Sequence, residues 1–237
     1  MFETSLSSDW YPTCAVFDCD GVLLDSESTW LTAQAELFER YGATFTQADE
    51  DALMGAAALD FARVLAANTT PHGASADDAA AHEKHIIEVV LEVEENMIER
   101  GMERIPGALD TIKKLSKVMP VAVASNSSAD LLTRKMQAFG FAPYLTTWVG
   151  ADDVASPKPA PDMYAEAIKR LGGDSQQTLT VEDSVTGARA AQESGANTLI
   201  FTGHGDTGAP GQGRFDSYTD PDFLATLNRW VKAARKA

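Results

Sequence analysis

The chain has 237 residues, a formal net charge of -16 and a hydrophobic content of 44%. This length is enough for one large domain or for a core with a smaller insert, and the composition is that of a globular protein. The acidic balance opposes binding to nucleic acid or to an anionic membrane surface, because both need basic patches. A small anionic substrate remains compatible, since the local charge of a site can differ from the net charge.

The N-terminal residues and the two cysteines bear on localisation. Residues 1–13 have neither a basic n-region nor an apolar h-region, so we expect no signal peptide. No apolar run approaches the length of a membrane span. Cys14 and Cys19 lie five residues apart on one predicted strand and point to opposite faces, which makes them poor disulfide partners. We therefore expect a cytoplasmic protein without a membrane partner, and a monomer by default.

Five short segments predict the strands of a buried sheet. Each is rich in β-branched residues and is bounded by turn residues. These segments are 14–18, 121–125, 146–150, 178–182 and 198–202. Helical patterns alternate with them at 107–117, 127–140, 160–172, 184–195 and 221–235. The alternation predicts an α/β fold with a Rossmann-like parallel sheet that is covered by helices on both faces.

Residues 28–102 interrupt this alternation with an insert that lacks a convincing strand. Helical spacing recurs there at 29–42, 57–68 and 77–101. We therefore predict two domains. The core domain comprises residues 1–27 and 103–237, and the inserted all-helical domain comprises residues 28–102.

Polar side chains follow four of the predicted strands. The carboxyl ends of parallel strands form the crevice in which ligands bind, so we expect these side chains to converge. They are Asp18 and Asp20 after the first strand, Ser125 and Asn126 after the second, Lys158 beyond the third, and Glu182 and Asp183 at the fourth.

The pair Asp18 and Asp20 raises a question of charge. Two neighbouring carboxylates cost free energy unless a cation or a proton neutralises them. Carboxylate oxygens are the ligands that Mg²⁺ prefers, and Mg²⁺ also accepts a phosphate oxygen as a ligand. A phosphate held between Mg²⁺ and Lys158 would have the positioning and charge neutralisation that phosphoryl transfer requires. A carboxylate can attack to form an aspartyl-phosphate, and Asp20 could protonate the leaving alcohol and then activate water.

These stretches resemble the four motifs of the haloacid dehalogenase (HAD) superfamily. The matching segments are DCDGVLLDSE (18–27), the Ser125–Asn126 pair, KPAPD (158–162) and VEDSVTG (181–187). They stand in the family's order and span almost the whole chain, which makes the resemblance far more specific than a single D-x-D-G. The helical insert resembles the cap of the branch that contains β-phosphoglucomutase and phosphoglycolate phosphatase.

The resemblance implies a catalytic role for three of these side chains. Asp18 would be the nucleophile and a Mg²⁺ ligand. Asp20 would be the general acid and base, and its backbone carbonyl would ligate Mg²⁺. Lys158 would stabilise the charge on the nucleophile and on the phosphoryl group.

The remaining roles concern the phosphate and the metal. Ser125 and Asn126 would hold phosphate oxygens. Asp183, together with Glu182, would complete the Mg²⁺ site. The helical cap would close over the substrate and exclude water during the first step.

Differences between this sequence and other branches of the superfamily favour a phosphatase. L-2-haloacid dehalogenases and phosphonoacetaldehyde hydrolases lack the aspartate that stands here as Asp20. β-Phosphoglucomutases carry a cap histidine near the position of Trp30, and a cap arginine that grips a second phosphate near Ala57 or Ala58. Without that arginine a mutase would lose a bidentate partner for the distal phosphate, and no motif supports Arg63 as a substitute.

The expected substrate is a small phosphorylated metabolite. Trp30, Leu31 and the small residues 55–58 suggest a cap surface for a sugar or polyol, so we rank sugar phosphates before phosphoglycolate and nucleotide monophosphates. A phosphosugar mutase is one alternative. A catalytically silent phosphate-binding protein is another, although it need not retain both Asp18 and Asp20. The loop 203–215 is longer than a compact connection needs and is expected to be a flexible edge.

Overall fold

A computed structural model describes residues 2–53, 58–100 and 102–236 of the chain. The chain divides into two compact units, Met1–Asp25 with Glu103–Ala237, and Ser26–Met102. The small residues 55–57, which the sequence analysis places on a ligand-facing surface, lie outside the described residues.

The larger unit is built on a seven-stranded sheet with the strand order β1-β9-β8-β7-β2-β5-β6. Only β1 is antiparallel to its neighbour, so the predicted parallel α/β fold is confirmed. A separate antiparallel pair is formed by β3 and β4. The strands are β1 (Glu3–Thr4), β2 (Cys14–Phe17), β3 (Leu24–Asp25), β4 (Glu103–Arg104), β5 (Val121–Ala124), β6 (Thr147–Val149), β7 (Thr178–Glu182), β8 (Asn197–Phe201) and β9 (Gly213–Phe215).

Strand β2 lies between β5 and β7 and is buried along its whole length. Its last residue, Phe17, pairs with Val123 on β5 and with Val181 on β7. A strand that is covered on both faces needs apolar residues at consecutive positions, which is why CAVF does not alternate. This register brings the residues that follow β2, β5 and β7 to one edge of the sheet.

The smaller unit, Ser26–Met102, contains no strand among its described residues. Its helices are α1 (Glu27–Arg40), α2 (Gln47–Leu53), α3 (Ala58–Thr69) and α4 (Ala76–Asn96), and a 3₁₀ turn follows at Met97–Arg100. Phe38, Phe61 and Leu65 lie at the centre of its apolar core. The short α2 was not predicted, because its sequence QADEDAL carries almost no apolar stripe.

Helices alternate with the strands of the larger unit, as the sequence predicts. They are α5 (Ala108–Leu115), α6 (Ala129–Ala138), α7 (Asp162–Leu171), α8 (Val185–Glu193) and α9 (Pro221–Ala234). Two begin at serine N-caps directly beyond strand ends: the Ser128 hydroxyl accepts from the Leu131 amide and that of Ser184 from the Gly187 amide. N-capping serines satisfy amides that have no partner within the helix.

The loop 203–215, which the sequence predicts to be a flexible edge, forms hydrogen bonds with the sheet and ends in one of its strands. Its last residues form β9, which is parallel to β8. The Thr207 hydroxyl donates a hydrogen bond to the Asp183 carbonyl at 2.8 Å, and Arg214 pairs with Asp206 at 2.5 Å. Within the described residues, no helix combines the length and apolar character that a membrane span requires.

Candidate active site

Asp18 directly follows β2 and contacts a buried lysine. The Lys158 ammonium lies 2.6 Å from Asp18 Oδ1 and 2.6 Å from Glu182 Oε1. The three side chains come from the ends of different segments, yet all three residues are buried. The sheet register thus brings a candidate nucleophile, a cation and a second carboxylate together.

Burial and the neighbouring charges shift the pKa values of Asp18 and Lys158. Burial raises the pKa of Asp18 to about 7, the carboxylates of Glu182 and Asp20 add to the shift, and Lys158 opposes it. Burial alone would lower the pKa of Lys158, but the carboxylates of Asp18 and Glu182 raise it above its usual value. The lysine therefore stays charged, and a further positive charge beside Asp18 would favour its ionised form.

Tyr164 lies beside Lys158 and was not identified from the sequence. Its hydroxyl donates to Glu182 Oε1 at 2.5 Å and accepts from Lys158 Nζ at 3.2 Å, and the ammonium stands 4.8 Å from the ring centroid. Burial raises the pKa of Tyr164 well above its usual value, so the phenol keeps its proton. Its position on the buried face of α7, six residues after Lys158, was the available indication.

Replacing Tyr164 by phenylalanine should lower the free energy of unfolding by roughly 1.5–3 kcal/mol, because the hydrogen bond reaches a buried charged group. Urea denaturation followed by circular dichroism would measure the change. Tyr144→Phe is the matched control, since Tyr144 is only half-buried. Equal midpoints for the two variants would contradict an energetic contribution of the Tyr164 hydroxyl.

Glu182 is held by donors on both oxygens. Besides Lys158 and Tyr164 on Oε1, the Asp183 amide and the Ser184 hydroxyl each donate to Oε2 at 3.2 Å. A Cβ on Gly187 would stand 1.9 Å from Glu182 Oε1. Glycine at this position of VEDSVTG is therefore needed for the close approach between α8 and the buried carboxylate.

Three carboxylates at this edge could bind a divalent metal. Among the described residues, Asp18, Glu182 and Asp183 each offer an oxygen, and these oxygens lie within 4.8 Å of one another. Gly21 has φ +75°, and a Cβ there would stand 1.9 Å from Asp183 Oδ2. The turn after Asp20 thus needs a glycine both for its left-handed backbone and for the nearby carboxylate.

Asp20 faces the end of β5. Its Oδ2 accepts hydrogen bonds from Ser125 Oγ at 3.3 Å and from Ser127 Oγ at 3.4 Å. The ammonium of Lys135, on α6, lies 2.8 Å from Asp20 Oδ1 and 2.9 Å from Oδ2. Neither Lys135 nor Ser127 was identified from the sequence as a partner of Asp20. A lysine within the apolar stripe of α6, four residues after Leu131, was the indication of a buried cation.

The side chains of Ser125 and Asn126 have different hydrogen-bond partners. The Ser125 hydroxyl accepts from the Ser127 amide at 3.2 Å and is buried at the site. The Asn126 side chain instead accepts from the Lys158 amide at 3.0 Å and donates to the Lys158 carbonyl at 3.3 Å. Asn126 therefore fixes the loop that carries Lys158, and phosphate binding by its side chain stays a prediction.

The smaller unit carries the residues that the sequence analysis weighed for substrate contacts. The Trp30 ring packs edge-on against Phe61 with centroids 5.4 Å apart, so it contributes to that unit's core. Arg63 pairs with Asp60 at 3.1 Å, and both side chains are exposed. Ala58 is buried in the same core.

Comparison with known proteins places the chain among hydrolases of one family. The family model described as haloacid dehalogenase-like hydrolase matches residues 15–201. The chain is similar to the fructose-1-phosphate phosphatase YqaB of Escherichia coli (strain K12), with 28% identity over 78% of this chain and 93% of that protein. It is also 31% identical to the chloroplastic protein SUPPRESSOR OF QUENCHING 1 of Arabidopsis thaliana, over 80% of this chain but only 18% of that protein.

A solved structure shows the same fold. The chain superposes on a mutant of CbbY from Rhodobacter sphaeroides in complex with xylulose-1,5-bisphosphate, with a TM-score of 0.72. The match covers 91% of this chain and 99% of that one at 22% identity.

Proposed function

Because this chain belongs to the haloacid dehalogenase-like hydrolases, we propose that it is a Mg²⁺-dependent phosphatase that hydrolyses a small phosphomonoester through an aspartyl-phosphate. One observation carries the proposal. Asp18 stands at the end of the central strand in contact with Lys158, within a group of four carboxylates and two lysines. When all its members are ionised, this group has two more negative than positive charges, and a divalent cation would neutralise them.

The residues present fit Mg²⁺. Asp18, Glu182 and Asp183 supply carboxylate oxygens in mutual reach, and such oxygens are the donors that Mg²⁺ prefers. When bound, the ion would neutralise charge on the phosphoryl oxygens and the carboxylates.

In the first step Asp18 Oδ attacks phosphorus, and the bond between phosphorus and the ester oxygen breaks. Asp20, in its protonated form, gives its proton to the departing alkoxide, so that an alcohol leaves. Lys158 holds the charge on Asp18, and Ser125 donates to a phosphoryl oxygen. The product is the acyl phosphate of Asp18.

In the second step a water molecule attacks the phosphorus of the acyl phosphate. The Asp20 carboxylate takes a proton from that water, and the bond between phosphorus and Asp18 Oδ breaks. Inorganic phosphate leaves, the Asp18 carboxylate is restored, and Asp20 carries the proton for the next turnover.

A sugar or polyol monophosphate is the substrate class that we propose. Residues 26–102 contain fifteen Asp or Glu against four Lys or Arg, a balance that does not favour a second phosphate in the smaller unit. The similarity to a fructose-1-phosphate phosphatase supports the same class. A phosphosugar mutase is the second candidate, because the fold of a bisphosphate-bound protein is shared.

The test is phosphate release from a panel of esters, with Mg²⁺ and with EDTA. The panel would hold fructose 1-phosphate, glycerol 3-phosphate, β-glucose 1-phosphate, phosphoglycolate, AMP and p-nitrophenyl phosphate. We expect release from sugar or polyol esters with Mg²⁺ and at least a hundredfold less with EDTA, because uncompensated carboxylates repel the substrate.

Two other outcomes would redirect the proposal. Conversion of β-glucose 1-phosphate to glucose 6-phosphate without phosphate release would establish the mutase. Tight binding of inorganic phosphate without turnover of any ester would establish the silent binding protein. Equal release with Mg²⁺ and with EDTA would contradict the metal requirement.

A further inference from the structure

Lys135 is a buried cation that the proposed reaction leaves without a role. It lies on α6, and its side chain is only 3% exposed. The residues around it on the buried face of the helix are Leu131, Leu132 and Met136. Removing an ammonium group from water is unfavourable unless close partners compensate, so a specific set of partners is expected at this position.

The partners of Lys135 are Asp20 and Ser127. The ammonium lies 2.8 Å from Asp20 Oδ1, 2.9 Å from Asp20 Oδ2 and 2.9 Å from Ser127 Oγ. Both carboxylate oxygens are therefore in contact with one buried cation. Asp20 itself is 34% exposed, so its carboxylate is open to the crevice while its far side is fixed.

The pair is also linked to the candidate phosphate ligand. Ser125 Oγ donates to Asp20 Oδ2 at 3.3 Å, and the Ser127 amide donates to Ser125 Oγ at 3.2 Å. Lys135, Ser127 and Asp20 thus form a chain of contacts that ends at Ser125. These hydrogen bonds fix the position of the Asp20 carboxylate relative to Ser125, the candidate phosphate ligand.

We propose that Lys135 is a positioning residue that holds the Asp20 carboxylate beside the phosphate-binding end of β5. The inference rests on the proposed function, since it assigns Asp20 the proton transfers. Lys135 does not touch the substrate. It restricts Asp20 to the side-chain orientation from which a proton can reach the ester oxygen.

The consequence depends on the leaving group. An alkoxide is a poor leaving group and must receive a proton as its bond to phosphorus breaks, whereas p-nitrophenolate leaves without one. The value of kcat/KM reports the steps up to departure of the alcohol, because that departure is irreversible under initial-rate conditions. A displaced Asp20 should therefore lower kcat/KM for alkyl esters and spare p-nitrophenyl phosphate.

The experiment compares Lys135→Met and Lys135→Gln with the unaltered protein. It measures kcat/KM for the alkyl ester that the panel shows to be turned over fastest and for p-nitrophenyl phosphate. We expect the ratio of the two values to fall about tenfold or more, within the factor of 10² to 10⁴ that general acid catalysis contributes. Inhibition by inorganic phosphate should change less than about threefold, because the phosphate ligands stay in place.

Two further variants separate positioning from general damage. Lys169→Met is the matched control, because Lys169 is exposed and pairs with Glu166 at the surface. Its ratio should equal that of the unaltered protein. In an Asp20→Asn background, Lys135→Met should lower the alkyl-ester rate by less than about twofold more, because the group that it positions is already lost.

The outcomes are distinguishable. An unchanged ratio in a folded Lys135→Met variant, or equal losses on both esters, overturns the positioning role and leaves the phosphatase standing. Failure of both Lys135 variants to fold assigns the lysine to stability and also overturns that role. If the unaltered protein hydrolyses neither ester, the proposed function fails first and the inference fails with it.

Discussion

The Asp18→Asn variant is expected to lose phosphate release by at least about 10⁴-fold and to remain folded, because an amide cannot form the acyl phosphate. The two side chains have nearly the same shape, so the packing at the end of β2 is preserved. Lys158 keeps Glu182 as a partner at 2.6 Å. The loss of activity would then report chemistry rather than unfolding.

The measurement pairs initial rates with a search for the covalent intermediate. Acid quenching of the unaltered protein with phosphorus-labelled substrate should trap label on the protein, and the Asp18→Asn variant should trap none. Asp130→Asn is a suitable control, since Asp130 lies exposed in the first turn of α6. Its rate should stay within about twofold of the unaltered protein, as for a surface substitution. Activity above about one per cent in the Asp18→Asn variant would exclude Asp18 as the nucleophile.

Five strands of the central sheet, β2 and β5 to β8, could be predicted because their segments are rich in apolar and β-branched residues and are bounded by turn residues. A segment such as 178–182 is buried on both faces, so its sequence differs from that of an exposed loop or an amphipathic helix. The polar residues that follow such strands were then placed by topology alone. The predicted topology alone therefore places Asp18, Lys158 and Glu182 at one edge of the sheet.

The shortest strands and their pairing could not be predicted in the same way. Strands β1, β3, β4 and β9 are two or three residues long, and such segments carry no periodicity that could be recognised. Their pairing depends on what the rest of the chain places beside them. The Gly-rich sequence of 203–215 indicated flexibility, but Thr207 and β9 tie this loop to the sheet.

The supporting side chains of the site were missed because their partners are distant in sequence. Lys135 meets Asp20 across 115 positions of the chain. A lysine on a helix normally extends into water, so the position of this one in the apolar stripe of α6 was too weak a signal to predict its burial. Tyr164 was hidden for a related reason, since a tyrosine on a buried helix face is ordinarily part of an apolar core.

The Lys158→Met variant is expected to lose about 3–5 kcal/mol of unfolding free energy at pH 7.5, because it leaves two buried carboxylates without their shared cation. Turnover should fall about 10²- to 10³-fold, as when one charge-stabilising donor is removed from an active site. Lys169→Met is the control, and as an exposed surface pair it should change stability by less than about 1 kcal/mol.

The stability loss should depend on pH with a definite sign. Burial already raises the pKa of Asp18 from 3.8 to about 7, and the charge of Lys158 opposes that rise. Without the lysine the pKa of Asp18 in the folded state is higher still. Ionisation of this carboxyl therefore destabilises the folded state, most strongly above that pKa and not at all below pH 3.8. The difference in unfolding free energy between the two proteins should therefore shrink from pH 7.5 to pH 4.5. Denaturant titrations at both pH values would show it, and a difference that grows on acidification would mean that Lys158 does not act on Asp18 by charge.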